Sequence, residues 1–354
     1  MVVSFVLPPI TPKVVGGLKV IYQYANYLAE KNCSVILYYR SSGVNSRHLP
    51  ERLVRFYRHC MLKREPKWFH LDPRIKKLDF LLPSELKGDV IVASDVGSVE
   101  YVISSDIKKK YYFIQDFENW SVSDEAVYKT YQMGMTNIVV SKWLKTIVDE
   151  NSGRSSVYIP NGIDLSVFRV SKSVEFRGIT LAMLFHHDKR KGCDVGMNVL
   201  HRLKKRYPDL KAFLFGSPER PKDFPDWIEY TCSATQEQVA RIDNNAAVFL
   251  CPSRQEGYGL TGLEGMACGC ALVTTDCKGI MEYAVDGYNA LVCEVDDEEA
   301  LFQSCCRLFD DKKLRMKISD NALIETKKFD INVAMENYYE IITQKRCFNI
   351  EETE

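Results

Sequence analysis

No C-x-x-C pair occurs among the 12 cysteines of this 354-residue chain, and they are scattered along its length. Cys268 and Cys270 stand one residue apart and Cys305 and Cys306 are adjacent. That spread argues against a disulfide scaffold and for reduced, mostly buried thiols of a cytoplasmic protein. A run of about 18 apolar residues is also missing, so no bilayer-spanning helix is expected. The opening "MVVSFVLPPITP" has neither the basic n-region nor the apolar length of a secretory leader. There is no low-complexity tract, and 46% hydrophobic with 27% charged residues is ordinary globular composition. Net charge is absent too, 47 Lys+Arg against 47 Asp+Glu. The halves differ, however. Residues 1–165 hold 22 basic against 17 acidic side chains, and the remainder holds 25 against 30. A mildly basic first half suits an anionic partner without requiring one. The length favours two domains of similar size.

What is present is an alternation. "VVSFVLPP" reads as a strand, "LKVIYQYANYLAEKN" after Gly16-Gly17 as an amphipathic helix, and "SVILYYR" as the next strand. "DVIVASD", "KYYFIQD" and "NIVVS" follow, continuous apolar runs of the kind a parallel sheet covered on both faces produces. "VYIPNGID" breaks the rhythm and reads as a linker near residue 160. A second series follows: "GITLAMLF", "CDVGMNVLHRLKKRYP", "KAFLFG", "TQEQVARIDNN", "AAVFLCPS", "ALVTTD" and "YNALVCEV". The fold class predicted is α/β, with two doubly wound, Rossmann-like halves binding ligand at strand carboxyl ends. The boundaries expected are 1–160 together with a C-terminal helix over about 332–354, and 161–331. "INVAMENYYEIITQK" offers Val333, Met335, Tyr338, Tyr339, Ile341 and Ile342 as the apolar face of that helix.

In the second half, "LAMLF" leads to Lys189, Arg190 and Lys191, and "AVFLCPS" leads to "RQEGYGLTGLEGMACG". Strand-end cations beside the amides of a glycine-opened helix would bind a diphosphate. Glu256 and Glu264 would then accept from hydroxyl pairs on the flanking sugars, which describes a nucleotide sugar. Glu264 as a solvated helix residue and Lys-Arg-Lys as a solvated turn are the plainer alternatives. Asp95 and Asp116 end apolar strands and serve either as helix caps or as substrate contacts. His186-His187 lacks a third ligand at a convincing spacing, so no metal is expected. Residues 47–77 hold ten basic against three acidic side chains, with Phe56, Tyr57, Trp68 and Phe69 interleaved. That segment reads either as a packed basic surface or as a dock for an anionic membrane or lipid-linked acceptor. No nucleic-acid motif accompanies it.

The residues "EGYGLTGLE", with E-x₇-E spacing, "PNGID", "VVSKWLKTIV" and "LEGMACGCALVTT" together resemble the large retaining family four of glycosyltransferases (group 1), enzymes of the GT-B fold. The resemblance extends almost from end to end. It implies two domains facing an interdomain cleft, with the first on the acceptor side and the second holding the nucleotide sugar. It implies Glu256 facing the transferred sugar and Glu264 the ribose. The amides of Gly259, Leu260 and Thr261 would face phosphate within a donor loop that includes Gly257 and Tyr258. Lys191 would be the phosphate cation, with Lys189 and Arg190 beside it because the family's usual Gly-Arg is here Phe185-His186. Gly16 and Gly17 resemble the family's first glycine loop, which would approach donor phosphate and acceptor from the other domain and so count among the donor-binding residues. Gln115-Asp116 replaces its frequent His-Asp, leaving Asp116 as the polar group.

The function so implied is transfer of a sugar from a UDP or dTDP sugar to a glycan or lipid-linked acceptor in cell-surface polysaccharide synthesis. Retention of anomeric configuration and no cofactor are implied with it, and Glu256, Lys191 and Asp116 would carry the catalysis. The expected location is cytoplasmic, with residues 47–77 at the inner membrane face. An epimerase or sugar phosphorylase on the same fold, or a non-enzymatic sugar-binding protein, are the rival readings.

Overall fold

The computed structural model describes residues 1–40, 60, 62, 66–120 and 122–344, in two compact units. The first takes the described residues of Met1–Val140 and Lys145–Pro160, with the last helix from Asn332. The second takes Ser141–Leu144 and Asn161–Ile331.

The first unit contains β1 (Val2–Leu7), α1 (Gly16–Glu30), β2 (Ser34–Tyr39), β3 (Lys76–Asp79), β4 (Val90–Ala93), α2 (Val99–Ile103), β5 (Lys109–Ile114), α3 (Asp124–Tyr131) and β6 (Thr136–Val139). It continues with α4 (Lys142–Ser152), whose first residues group with the second unit, and β7 (Val157–Tyr158). Its seven strands run in the order β3-β2-β1-β4-β5-β6-β7, every pairing parallel. β4 is buried at all four positions, the pattern of a strand covered on both faces. Leu18, Ile21, Tyr22, Ala25, Leu28 and Ala29 of α1 recur every three or four residues and form its buried stripe.

The second unit contains β8 (Thr180–Leu184), α5 (Cys193–Arg206), β9 (Lys211–Gly216), β10 (Ile228–Cys232), α6 (Gln236–Asn245), β11 (Val248–Cys251), α7 (Leu260–Ala267), β12 (Ala271–Thr275), β13 (Ala290–Cys293), α8 (Glu298–Asp310) and α9 (Lys312–Thr326). Its sheet runs β10-β9-β8-β11-β12-β13, again all parallel. In both sheets the order reverses at one point, between β1 and β4 and between β8 and β11. Such a switch point opens a crevice beyond the strand carboxyl ends, because the two flanking connections leave on opposite faces.

The final helix, α10 (Ile331–Thr343), lays Tyr338 against the first unit, stacked on Tyr24 at 4.5 Å and edge-on to Phe113 at 5.5 Å. Its face differs from the sequence expectation. Val333 is 57% exposed, while Ile331 and Ala334 are buried with Tyr338, Ile341 and Ile342. The 3.6-residue period rotates Val333 to the opposite side once Tyr338 is anchored.

Three short strands are absent from the sequence reading. β3 and β10 are edge strands with polar, partly exposed positions, which mask the apolar run. β7 occupies the first residues of the stretch read as a linker. Phe56, Tyr57 and most of the basic segment lie outside the described residues. Within it, Trp68 and Phe69 each pack on Tyr22 with ring centroids 5.5 Å apart, so these two aromatics are built into the first unit. Among the described residues, the cysteines are free thiols and no helix is long and apolar enough to cross a membrane.

Candidate functional site

At the switch point of the second sheet, β8 ends in a short loop whose Asp188 opens a single 3-10 turn, Lys189–Lys191. The Asp188 carboxylate accepts from the Arg190 amide at 2.9 Å and pairs with the Arg190 guanidinium at 2.6 Å. Burial works to raise this carboxyl, but the Arg190 hydrogen bonds hold it below the usual range. Arg190 is therefore neutralised locally, whereas Lys189 is exposed. The turn aims Lys191 at the loop after β11. There its ammonium lies 2.9 and 2.8 Å from the two oxygens of Glu256, and Ser253 Oγ donates to the same carboxylate at 2.8 Å.

Glu256 is only 7% exposed, so this ion pair is largely withdrawn from water and strengthened by the lower dielectric around it. The backbone under it is fixed on both sides. The Glu256 amide donates to the Cys277 carbonyl at 2.9 Å, and the Gly279 amide donates to the Glu256 carbonyl at 3.0 Å. A Cβ at Gly279 would lie 2.4 Å from the Gly257 carbonyl carbon, so only glycine allows the two chains to pass this closely. The Trp143 indole donates to the Gly257 carbonyl at 3.1 Å. Arg254 ties the loop outward, through Asp194 at 2.8 Å, Asp296 at 2.7 Å and the Lys189 carbonyl at 2.6 Å.

The loop turns into α7 through Gly259, which sits at φ 83°, a left-handed conformation costly to any side-chain-bearing residue. Tyr283 Oη donates to the Gly259 carbonyl. Among the described residues no side chain caps α7, and no acidic residue lies in its first turn. Its leading amides are thus available to an anion, with the positive end of the helix dipole behind them. Leu260 and Thr261 are half-buried at this end. The Tyr258 ring packs toward Tyr283 at 6.0 Å and Phe329 at 6.4 Å, so its phenol is turned into the protein. Glu264, one turn on, is 4% exposed and is not a solvated helix residue.

His186 is engaged by the loop itself, its Nδ1 accepting the Asp188 amide at 3.0 Å, and its pKa is lowered by burial and then by Lys191. Among the described residues, no cluster of three or more His, Cys, Asp or Glu side chains is placed to hold a metal.

In the first unit, α1 also begins at a glycine pair, Gly16-Gly17, with no first-turn acid and, among the described residues, no side-chain cap. Gln115, at the end of β5, donates to the Gly17 carbonyl at 3.1 Å. Asp116 accepts its neighbour's amide, Phe117 N–H, at 2.9 Å. Two residues on, Glu118 accepts the Val96 amide at 2.6 Å. Burial pushes the Glu118 carboxyl up to about 8, with Asp95 and Asp116 adding to the rise. Asp95 itself is paired with Arg40, yet burial still raises its pKa. Glu118 was not among the residues singled out by sequence. Nothing in "QDFENW" distinguishes it, because its perturbation comes first from burial and then from Asp95, which the fold brings over from elsewhere in the chain. Ser253, Arg254, Trp143 and Tyr283 were missed for the same reason.

Residues 177–311 match the family model described as Glycosyl transferases group 1. An uncharacterised glycosyltransferase of Methanocaldococcus jannaschii is 25% identical over 241 residues, covering 66% of this chain and 62% of that protein. A Campylobacter jejuni relative is 38% identical over 151 residues, 40% of each chain. It is named N-acetylgalactosamine-N,N'-diacetylbacillosaminyl-diphospho-undecaprenol 4-alpha-N-acetylgalactosaminyltransferase. The chain spans less than two thirds of the length of such curated relatives. Among solved structures, Anabaena HepE in complex with UDP-glucose superposes with a TM-score of 0.73 at 14% identity, over 96% of this chain and 99% of that one. The chain has the GT-B fold, and its residues 177–311 are similar to the group 1 glycosyl transferases.

Proposed function

We propose that this chain transfers a sugar from a nucleoside-diphosphate sugar, with UDP as the nucleotide, to a glycan or lipid-linked acceptor. The observation that carries the reading is the meeting, at one switch point, of an uncapped glycine-opened helix, a lysine turn and two buried glutamates. The amides of Gly259, Leu260 and Thr261 receive the diphosphate, and Lys191 and Lys189 supply positive charge beside it. Glu264 accepts from the ribose hydroxyls. Glu256 accepts from the hydroxyls of the transferred sugar, held in place by Lys191 and Ser253. Gly16, Gly17 and Asp116 belong to the acceptor side.

Catalysis on this reading is positioning plus stabilisation of the departing diphosphate. The leaving phosphate takes the acceptor proton on the face from which it departs, so anomeric configuration is retained. Support for a UDP sugar comes from the HepE complex, and support for a lipid-linked acceptor from the name of the Campylobacter relative. Residues 47–77 are the segment proposed to meet the membrane surface, at the cytoplasmic face.

The test is a nucleotide-sugar screen by thermal shift, followed by turnover of the stabilising donor with and without undecaprenyl-diphospho-sugar acceptors. A ligand at 100 times its dissociation constant stabilises by about 2.7 kcal/mol. Turnover to an isomerised nucleotide sugar without acceptor would replace transfer by epimerisation. No stabilisation by any nucleotide sugar would remove the donor site.

A further inference from the structure

Gln115 follows the last residue of β5 and reaches the start of α1, 98 residues away in the chain, where its Nε2 donates to the Gly17 carbonyl at 3.1 Å. A carbonyl can only accept, so the side-chain amide is held in one orientation, with its nitrogen on Gly17 and Oε1 on the other side. Among the described residues this is the one hydrogen bond of that side chain, and Gln115 is half-buried, so Oε1 stands as an acceptor at the surface of the first unit.

The two glycines beside it differ. A Cβ on Gly17 would stand 3.3 Å from Gln115 Nε2, so the bare α-carbon is what lets the amide come down on the helix. A Cβ on Gly16 would meet nothing within 4 Å, and neither glycine has a positive φ. Among the described residues, then, no packing contact asks for glycine at 16, where alanine would cost less chain entropy. The first amide bond inside α1 runs from Lys19 to the Val15 carbonyl at 3.0 Å, so the amides of Gly16, Gly17 and Leu18 find no carbonyl within the helix. Such amides alone suit an anion. An acceptor fixed beside them changes the chemistry. Ionised phosphate oxygens cannot donate and are repelled by Oε1, whereas a hydroxyl accepts from an amide and donates to Oε1.

We propose that Gln115 is a specificity-determining residue, which clamps the opening of α1 through Gly17 and makes it a hydroxyl site, its Oε1 accepting from a hydroxyl of the acceptor. Gly17 then serves the clamp, and Gly16 leaves room for the acceptor to approach the backbone. The inference rests on the reading that Gly16 and Gly17 belong to the acceptor side.

Three variants of the full chain test it. Gln115→Met keeps the side-chain length and removes both polar groups. Gln115→Glu keeps an acceptor and cannot donate to the Gly17 carbonyl when ionised. Gln115→His offers a ring N–H for that carbonyl and a second nitrogen as acceptor. In hydrogen exchange, which needs no substrate, the amides of Val20 to Tyr24 should exchange roughly five-fold faster in Gln115→Met and Gln115→Glu, at an unchanged melting temperature. Exchange at the wild-type rate in both overturns the clamp. In turnover of the stabilising donor with an undecaprenyl-diphospho-sugar acceptor, Gln115→Met should raise the acceptor KM roughly ten-fold and leave UDP affinity within about two-fold of wild type. Gln115→His should recover most of that loss. A loss that falls on UDP affinity instead would make the opening of α1 a phosphate site and overturn the proposal, as would an acceptor KM unmoved in Gln115→Met. Gln115→Glu, which should lose the clamp and acceptor affinity with it, decides both arms if Gln115→Met does not fold. A wild-type chain inert toward every acceptor would remove the transfer reading and the hydroxyl assignment with it, while the exchange arm would still decide the clamp.

Discussion

Lys191 grips both oxygens of Glu256, at 2.9 and 2.8 Å, although 65 residues separate them in the chain. The pair joins the turn after β8 to the loop after β11. In the proposed function these two side chains serve opposite ends of one ligand, cation to phosphate and carboxylate to sugar. Each holds the other in place before the ligand arrives.

That coupling is measurable. Lys191→Met and Glu256→Gln should each destabilise the fold, and the double variant should lose less than the sum. A coupling energy of about 1–3 kcal/mol is expected from thermal denaturation of the full cycle. Strict additivity would mean that the pair contributes nothing.

The two glutamates should separate in kinetics. Glu264→Ala should weaken UDP binding, and Glu256→Ala should chiefly lower sugar transfer, each by roughly 1.5–3 kcal/mol. Identical UDP affinity and turnover in both variants would refute the assigned roles.

The cations of the turn should be unequal. Lys191→Met should reduce affinity for UDP far more than for uridine, because it addresses phosphate. Arg190→Met should have the smaller effect, since its charge is already matched by Asp188 at 2.6 Å. Calorimetry with both ligands distinguishes the two, and equal losses for UDP and uridine would reduce the turn to a structural one.

Gly259→Ala tests the entrance to α7. At φ 83° the substitution should cost about 1–2 kcal/mol of stability and tilt the leading amides. A urea midpoint and UDP affinity both at wild-type values would show that the amides are not used.

Glu118 gives the first unit a pH dependence of its own. Burial holds its carboxyl up to about 8, whereas the unfolded chain releases that proton near the ordinary value of about 4.3. Between those values the folded state binds more protons than the unfolded one. Its contribution is complete at the acid end and is lost as pH rises toward about 8. Glu118→Gln keeps the acceptor for the Val96 amide and cannot ionise, so its urea midpoint should decline less across this range. Parallel pH profiles for the two proteins would show that Glu118 titrates as an ordinary surface carboxylate.

The sequence by itself determined the α/β class, the parallel strands and the helix-opening glycines. These are local matters: a continuous apolar run, a 3.6-residue period and a backbone position open to glycine are written in consecutive residues. The E-x₇-E spacing also placed Glu264 one turn into a helix whose start is Gly259. Tertiary structure decided the rest. It spent Arg190 on Asp188 while sending Lys191 to Glu256, a difference that "KRK" cannot express because both partners are chosen by the fold. It turned Val333 outward once Tyr338 had found Tyr24 and Phe113. It also buried Asp243 and set the half-buried Glu118 among groups from distant segments, and the charge of such a carboxyl is set by its neighbours in space, which chain order does not list.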